Sequence, residues 1–254
     1  MLVHVPLPAG PVSAATIPAR AHASPGDATT AQLVILDSSL VPTVAHFEHW
    51  ALALADHGFS RMRTGALAPR HALQAELAGL HCIQDLALLE ANPPFQIAAA
   101  AKRTSRTRPR HVADLAAVDH AAFGDAWRLD SPMLRDVRTA TPASRARVVT
   151  TAALARAAGT PPPGTVTDIA GFLLAGRAGR NGYIQRLAVD PAARRHGVAS
   201  SLLTDAMRWL RRRKVERVFV NTRVDNGPAL RLYHAHGFSE LPERLRVFEG
   251  PTRR

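Results

Sequence analysis

Ile184-Gln185-Arg186-Leu187-Ala188-Val189-Asp190-Pro191-Ala192-Ala193-Arg194-Arg195-His196-Gly197-Val198-Ala199 decides the reading of this chain. An apolar strand, Tyr183–Val189, runs into a turn at Asp190-Pro191, and a helical pattern opens after Gly197. That pattern continues through Leu202, Leu203, Ala206, Met207, Trp209 and Leu210, spaced as one apolar helix face. A short basic loop closed by small residues at a helix start is suited to phosphates. The amide groups of the first helical turn have no partner within the helix, and the helix dipole favours negative charge there. Gly197 and Ala199 let a ligand approach the backbone, and Ser200 and Ser201 offer hydroxyl donors.

After that helix, Arg217–Arg223 reads as a strand, followed by Asp225-Asn226-Gly227-Pro228-Ala229-Leu230-Arg231-Leu232-Tyr233-His234-Ala235-His236-Gly237-Phe238. Asp225 and Asn226 suit a helix cap, Pro228 its first turn, and Gly237 the left-handed residue that ends it. The two stretches together resemble the GCN5-related N-acetyltransferases. Arg/Gln-x-x-Gly-x-Gly/Ala after a strand is that family's coenzyme A pyrophosphate loop. Asn-x-x-Ala-x-x-x-Tyr-x-x-x-Gly-Phe is its second signature, met here at Asn226, Ala229, Tyr233, Gly237 and Phe238.

The resemblance implies an α/β fold built on a mixed sheet and acetyl-CoA as co-substrate, with no metal. Arg194, Arg195, His196, Gly197, Val198, Ala199 and Ser200 would hold the pyrophosphate, with Asn226 and Tyr233 completing the coenzyme site. Leu187, Ala188 and Val189 would lie along the pantetheine arm, on a strand that splays from its neighbour. The Val189 N–H would then be the oxyanion donor and Tyr233 the general acid for the leaving thiolate. The base is open: relatives that acetylate protein amino termini place a glutamate where Asn221 stands, and Gln185 is also non-ionisable. His196, His234 and His236 are the nearby candidates, and each alone reads as a solvated histidine.

The 254 residues are 46% hydrophobic and carry a net charge of +12. No apolar run approaches the ~20 residues of a membrane helix. Cys82 is the only cysteine, so disulfide frameworks and cysteine-based zinc sites are excluded. His46 and His49 share a helix face but lack an acidic third ligand. Nearly all the positive charge is arginine, without interleaved aromatics, which argues against nucleic acid and for an anionic cofactor or an acidic protein partner. Arg211-Arg212-Arg213-Lys214 suits a solvated helix end.

Residues 1–30 are rich in Ala, Pro, Ser and Thr and lack a basic start followed by a compact apolar run. They read as a disordered tail of a cytoplasmic protein. Residues 31–92 read as a degenerate half copy of the transferase fold: one ungapped offset lays Thr64 on Thr222 and Gly79 on Gly237. It would place Ser39 on Gly197, Ala68 on Asn226 and Ala75 on Tyr233, a copy stripped of chemistry. Residues 93–108 read as a linker, and 109–250 as the catalytic domain. Within it the expected elements are helices 114–123 and 131–139, strands 147–152 and 169–175, a loop at 158–168, and closing antiparallel strands at 239–243 and 245–248.

The expected activity is acetyl transfer to a primary amine, a protein amino terminus or a small molecule, by a monomer or homodimer with no membrane partner. A non-catalytic acetyl-CoA sensor or scaffold is the competing reading.

Overall fold

The structure, a computed structural model, describes residues 2–4, 17–37, 40–97, 100, 102–158 and 164–252. In chain order the elements are β1 (Leu2–His4), β2 (Ala19–Ser24), β3 (Asp27–Ile35), α1 (Val44–Asp56), β4 (Arg61–Thr64), α2 (Pro69–Leu77) and β5 (His81–Ala91). There follow β6 (Ser105–Arg106), α3 (Val112–Phe123), α4 (Ser131–Thr139), β7 (Ala143–Thr150), α5 (Thr151–Ala158), β8 (Ile169–Ala178) and β9 (Asn181–Val189). The chain closes with α6 (Val198–Arg212), β10 (Arg217–Arg223), α7 (Gly227–His234) and β11 (Ser239–Pro251). Helices and a mixed sheet make an α/β fold, and the chain forms two compact units, 1–87 with 242–254, and 88–241.

In the first unit β1, β2 and β3 pair antiparallel, β3 pairs parallel with β4, and β4 pairs antiparallel with the end of β11. Leu33, Phe47, Trp50, Leu54, Met62 and Phe248 form its core. The tail expected over 1–30 is corrected here: Ala19–Ser24 and Asp27–Ile35 are paired strands. Their alternation of small apolar and polar residues buries Ala19, Ala21, Ala31 and Leu33, a period-2 signal hidden in an Ala-rich composition.

In the second unit β6, β7, β8 and β9 pair antiparallel, and β9 pairs parallel with β10. Leu115, Val118, Leu134, Val148, Ile169, Phe172 and Leu174 pack as one cluster. Leu202, Leu203, Ala206, Met207, Trp209 and Leu210 of α6 are all buried, as their spacing requires.

Three expected boundaries move. The strand expected at 147–152 is Ala143–Thr150, and Thr151–Ala158 is helical, its Ala-rich sequence started by a Thr150 hydroxyl that accepts from Ala153 N at 3.2 Å. Ala158, expected to open the loop 158–168, ends this helix, and 159–163 lie outside the described residues. The two closing strands are one continuous strand, β11, because no turn chemistry separates Glu243 from Leu245.

The order strand, antiparallel strand, helix, parallel strand, helix, strand occurs twice along the chain, as β2–β5 and as β8–β11. Ala68 and Asn226 are both helix N-caps, and Gly79 and Gly237 have φ of 84° and 80°. Ser39 lies outside the described residues.

Candidate functional site

β9 is paired on both edges only at its beginning. Asn181, Gly182 and Tyr183 face Arg217, Val218 and Phe219 of β10, and the rings of Tyr183 and Phe219 stack at 6.0 Å. Beyond Tyr183 the register with β10 stops, whereas the pairing with β8 runs on to Val189 against Gly171. The edge of Ile184–Val189 that faces β10 is open. Strand geometry says which amides point into the opening. Asp190 N donates to Ala170 O at 3.0 Å, on the β8 side. Ala188 O also lies on that side, 2.8 Å from where a Cβ on Gly171 would sit. Backbone groups alternate along a strand, so the N–H groups of Leu187 and Val189 point to the open edge.

The loop that follows is held by a buried carboxylate. Asp190 is 1% exposed; it accepts from Ala192 N at 2.9 Å and Val166 N at 2.8 Å. Arg195 has φ of 65° and Gly197 of 74°, two left-handed residues that turn the chain sharply into α6. For an arginine that conformation is strained, a feature concentrated at binding loops. The first helical bond of α6 runs from Ser201 N to Gly197 O at 3.0 Å, so the amides of Val198, Ala199 and Ser200 have no acceptor within the helix. Arg194 reaches Ala122 O at 3.4 Å, and His196 Nδ1 lies 2.8 Å from Arg194 O.

α7 supplies Tyr233. Asn226 caps that helix: Oδ1 accepts from Ala229 N at 3.3 Å, and Nδ2 donates to the Thr222 hydroxyl at 3.1 Å. Its side chain is thus engaged at both ends, tying α7 to β10. Asp225, expected to share the cap, instead pairs with Arg223. Tyr233 is 5% exposed and packs on Phe238 at 5.7 Å. Burial pushes its phenol well above the ordinary tyrosine range, so the hydroxyl stays protonated at neutral pH.

Other expected residues separate. Ser201 is fully buried, and its hydroxyl accepts from Lys102 N at 2.9 Å, so it packs the helix rather than facing the loop. His236 is not a surface histidine: it is 4% exposed, with Nε2 3.2 Å from Ser200 Oγ. His196 and His234 are exposed, as is Asn221. His46 is engaged with Thr43 at the start of α1, its Nδ1 2.7 Å from the Thr43 hydroxyl.

Sequence reasoning missed a bulge. The β8–β9 register shifts so that Leu174 faces Arg186 and Ala175 faces Ile184, leaving Gln185 as the extra residue. Consecutive side chains on a regular strand point to opposite faces, but here both Gln185 and Arg186 meet the α3–α4 layer. Gln185 Nε2 donates to Val137 O at 2.9 Å, and Arg186 forms a two-pronged pair with Asp119 while stacking on Phe123. Bulges leave no composition signal, although an arginine and a glutamine side by side in an apolar strand hint at one.

Residues 148–238 match the acetyltransferase (GNAT) family model. N-alpha-acetyltransferase 30 of Saccharomyces cerevisiae is 34% identical over 67 residues, which are 26% of this chain and 38% of that protein. The chain thus spans well under half the length of this curated relative. Two solved structures share the fold across most of the chain. A tandem GNAT protein from the clavulanic acid biosynthesis pathway has a TM-score of 0.59 at 15% identity, covering 89% of this chain and 76% of its own. A GCN5-related N-acetyltransferase from Sphaerobacter thermophilus has a TM-score of 0.58 at 14% identity, covering 93% and 76%. Residues 148–238, the part of this chain that matches the acetyltransferase (GNAT) family model, carry the open strand edge, the left-handed loop and the Tyr233 helix.

Proposed function

We propose that the chain transfers the acetyl group of acetyl-CoA directly to a primary amine. The observation that carries this reading is the open edge of β9, with the Val189 amide directed into it, running straight into a left-handed basic loop at a helix start. The residues fit the coenzyme. Arg194, Arg195 and the amides at 197–200 offer charge and donors to a diphosphate, and Gly197 keeps a side chain out of its way. The unpaired backbone of Leu187 and Val189 matches the strand-like amides of a pantetheine arm. When bound, the co-substrate supplies the thioester that the amine attacks.

The chain's own groups then divide the work. The Val189 N–H is fixed before reaction and donates to the carbonyl oxygen as negative charge develops on it. The Tyr233 hydroxyl, kept protonated by burial, gives its proton to the leaving sulfur. Asn226 shapes the site by holding α7 to β10. Asn221 and Gln185 are not ionisable, so the amine loses its proton to water or to a base elsewhere, or arrives neutral.

The yeast relative's name supports a protein amino terminus as acceptor, with small amines the second candidate. We take the chain to work in the cytoplasm as a monomer or homodimer, its first unit a copy of the fold without chemistry. Mass spectrometry of a mixture of free-amino-terminal peptides, lysine peptides and small amines tests the acceptor class. An acetyl mass on the α-amino peptides alone supports the protein reading; on small amines alone, it overturns it. The sensor reading draws on the non-ionisable Asn221 and Gln185, and predicts coenzyme binding with no acetylated product.

A further inference from the structure

His236 joins the two halves of the candidate site. It follows α7, yet its ring reaches α6. Nδ1 lies 2.8 Å from Leu232 O and Nε2 lies 3.2 Å from Ser200 Oγ, with 4% of the residue exposed. A carbonyl oxygen only accepts, so Nδ1 carries a proton. In the neutral ring Nε2 is then an acceptor, and Ser200 donates its single hydroxyl proton to it.

That arrangement conflicts with an anion. Ser200 is the third residue of α6, next to the amides of Val198 and Ala199. While it donates to His236, its oxygen turns only lone pairs towards the loop, and a phosphoryl oxygen likewise only accepts. If the hydroxyl swung to the phosphate, buried Nε2 would lose its donor, a state folded proteins avoid. A proton on Nε2 resolves both conflicts. Nε2–H then donates to Ser200 Oγ, and the Ser200 O–H donates to the phosphoryl oxygen. The positive ring also lies two bonds from the anion, in surroundings that screen poorly.

We propose that the coenzyme's diphosphate is bound together with a proton: seating it reverses the Ser200–His236 hydrogen bond and draws one proton from solvent onto His236 Nε2. This rests on the coenzyme reading of the Arg194–Ala199 loop. The other charged groups on these elements are Arg194, Arg195 and His196 of the loop, Asp205, Arg208, Arg211 and Arg212 of α6, Arg231 and His234 of α7, and Glu240, Glu243, Arg244, Arg246 and Glu249 of β11, with Glu240 3.7 Å from His234. The His236 ring bonds Leu232 O and Ser200 Oγ, both neutral, so the anion is what compensates the new charge. Affinity for the diphosphate therefore falls as pH rises, by at most about tenfold per unit over the range in which the proton is taken up.

The test is calorimetric titration of the full chain with 3′-dephospho-coenzyme A, whose diphosphate diester stays ionised throughout that range. Titrations near neutral pH in two buffers of different ionisation enthalpy count the protons taken up. The wild type is expected to take up on the order of half a proton or more per ligand, and S200A and H236Q none. Equal proton counts in all three overturn the proposal. So does S200A retaining the wild-type count while H236Q loses it, because the anion's field would then act without the hydroxyl. Should H236Q fail to fold, S200A alone decides between these results. A wild type that binds no ligand removes the coenzyme reading itself, and the proposal with it.

Discussion

Arg186 and Asp119 meet in a two-pronged ion pair, with Nε and Nη2 each 2.7 Å from a carboxylate oxygen, and Asp119 has no exposure to solvent. The pair is a junction. Asp119 also accepts from Leu129 N at 2.6 Å, and Arg186 donates to Trp127 O at 2.7 Å, so α3 and the segment before α4 are tied to the bulge in β9. Removing one partner strands the other charge away from water, so Asp119→Ala should cost about 3–5 kcal/mol. Urea unfolding measures it. A loss below about 1 kcal/mol would mean that water reaches the guanidinium.

Tyr233→Phe keeps the ring that packs on Phe238 and removes only the hydroxyl. Steady-state kinetics should show kcat lowered by about 10²–10⁴-fold, with coenzyme affinity unchanged. A loss under about threefold would leave Tyr233 a packing residue.

Two glycines separate site geometry from general stability. A Cβ at Gly171 would lie 2.8 Å from both Ala188 O and Val198 Cγ1, so Gly171→Ala presses on β9 and the start of α6 at once. At Gly65 it would meet nothing closer than Leu33 O at 3.9 Å. Gly171→Ala should lower acetyl transfer at least about tenfold and destabilise by about 1–3 kcal/mol. Gly65→Ala should stay within about 1 kcal/mol of the parent, with full transfer. Equal effects of the two would contradict the tight β8–β9 contact.

Asp205 gives the second unit an acid limb. Burial works against its charge, but hydrogen bonds from Arg145 and Thr104 and the charges of Arg145 and Arg147 hold the carboxyl below its ordinary value. A carboxyl lower in the folded than in the unfolded chain contributes stability above its unfolded value. That contribution fades as pH falls through the folded value. Urea midpoints should therefore drop below about pH 4, and Asp205→Asn should flatten that drop while lowering the neutral-pH midpoint. An unchanged acid limb in the variant would assign acid sensitivity to other carboxylates.

The second unit was legible because its signals are local. Gly197, Asn226 and Gly237 carry turn and cap chemistry, and each stands at the helix end its residue type suits. The apolar face of α6 follows from spacing alone. What the sequence hid depends on partners distant in the chain. The strand at Ala19–Ser24 is a stretch of alanines and polar residues until β3 pairs with it. His236 looks like one of several basic residues on a short helix until Leu232 O and Ser200 enclose it. The Gln185 bulge follows from β8 register. A resemblance located the loop, but the splay of β9 from β10 is a property of pairing that ends at Tyr183.

Thiol release from acetyl-CoA, measured against a mixed panel of peptide amino termini, lysine peptides and small amines, tests the central claim most directly. Gly197→Glu serves as the comparison, since it puts a carboxylate and a strained left-handed side chain where the diphosphate would sit. Release that requires an amine and disappears in Gly197→Glu, while that variant keeps the parent's circular dichroism, is the predicted result. Release that persists in Gly197→Glu, or its absence from a wild type that also fails to bind the coenzyme, would contradict the assignment.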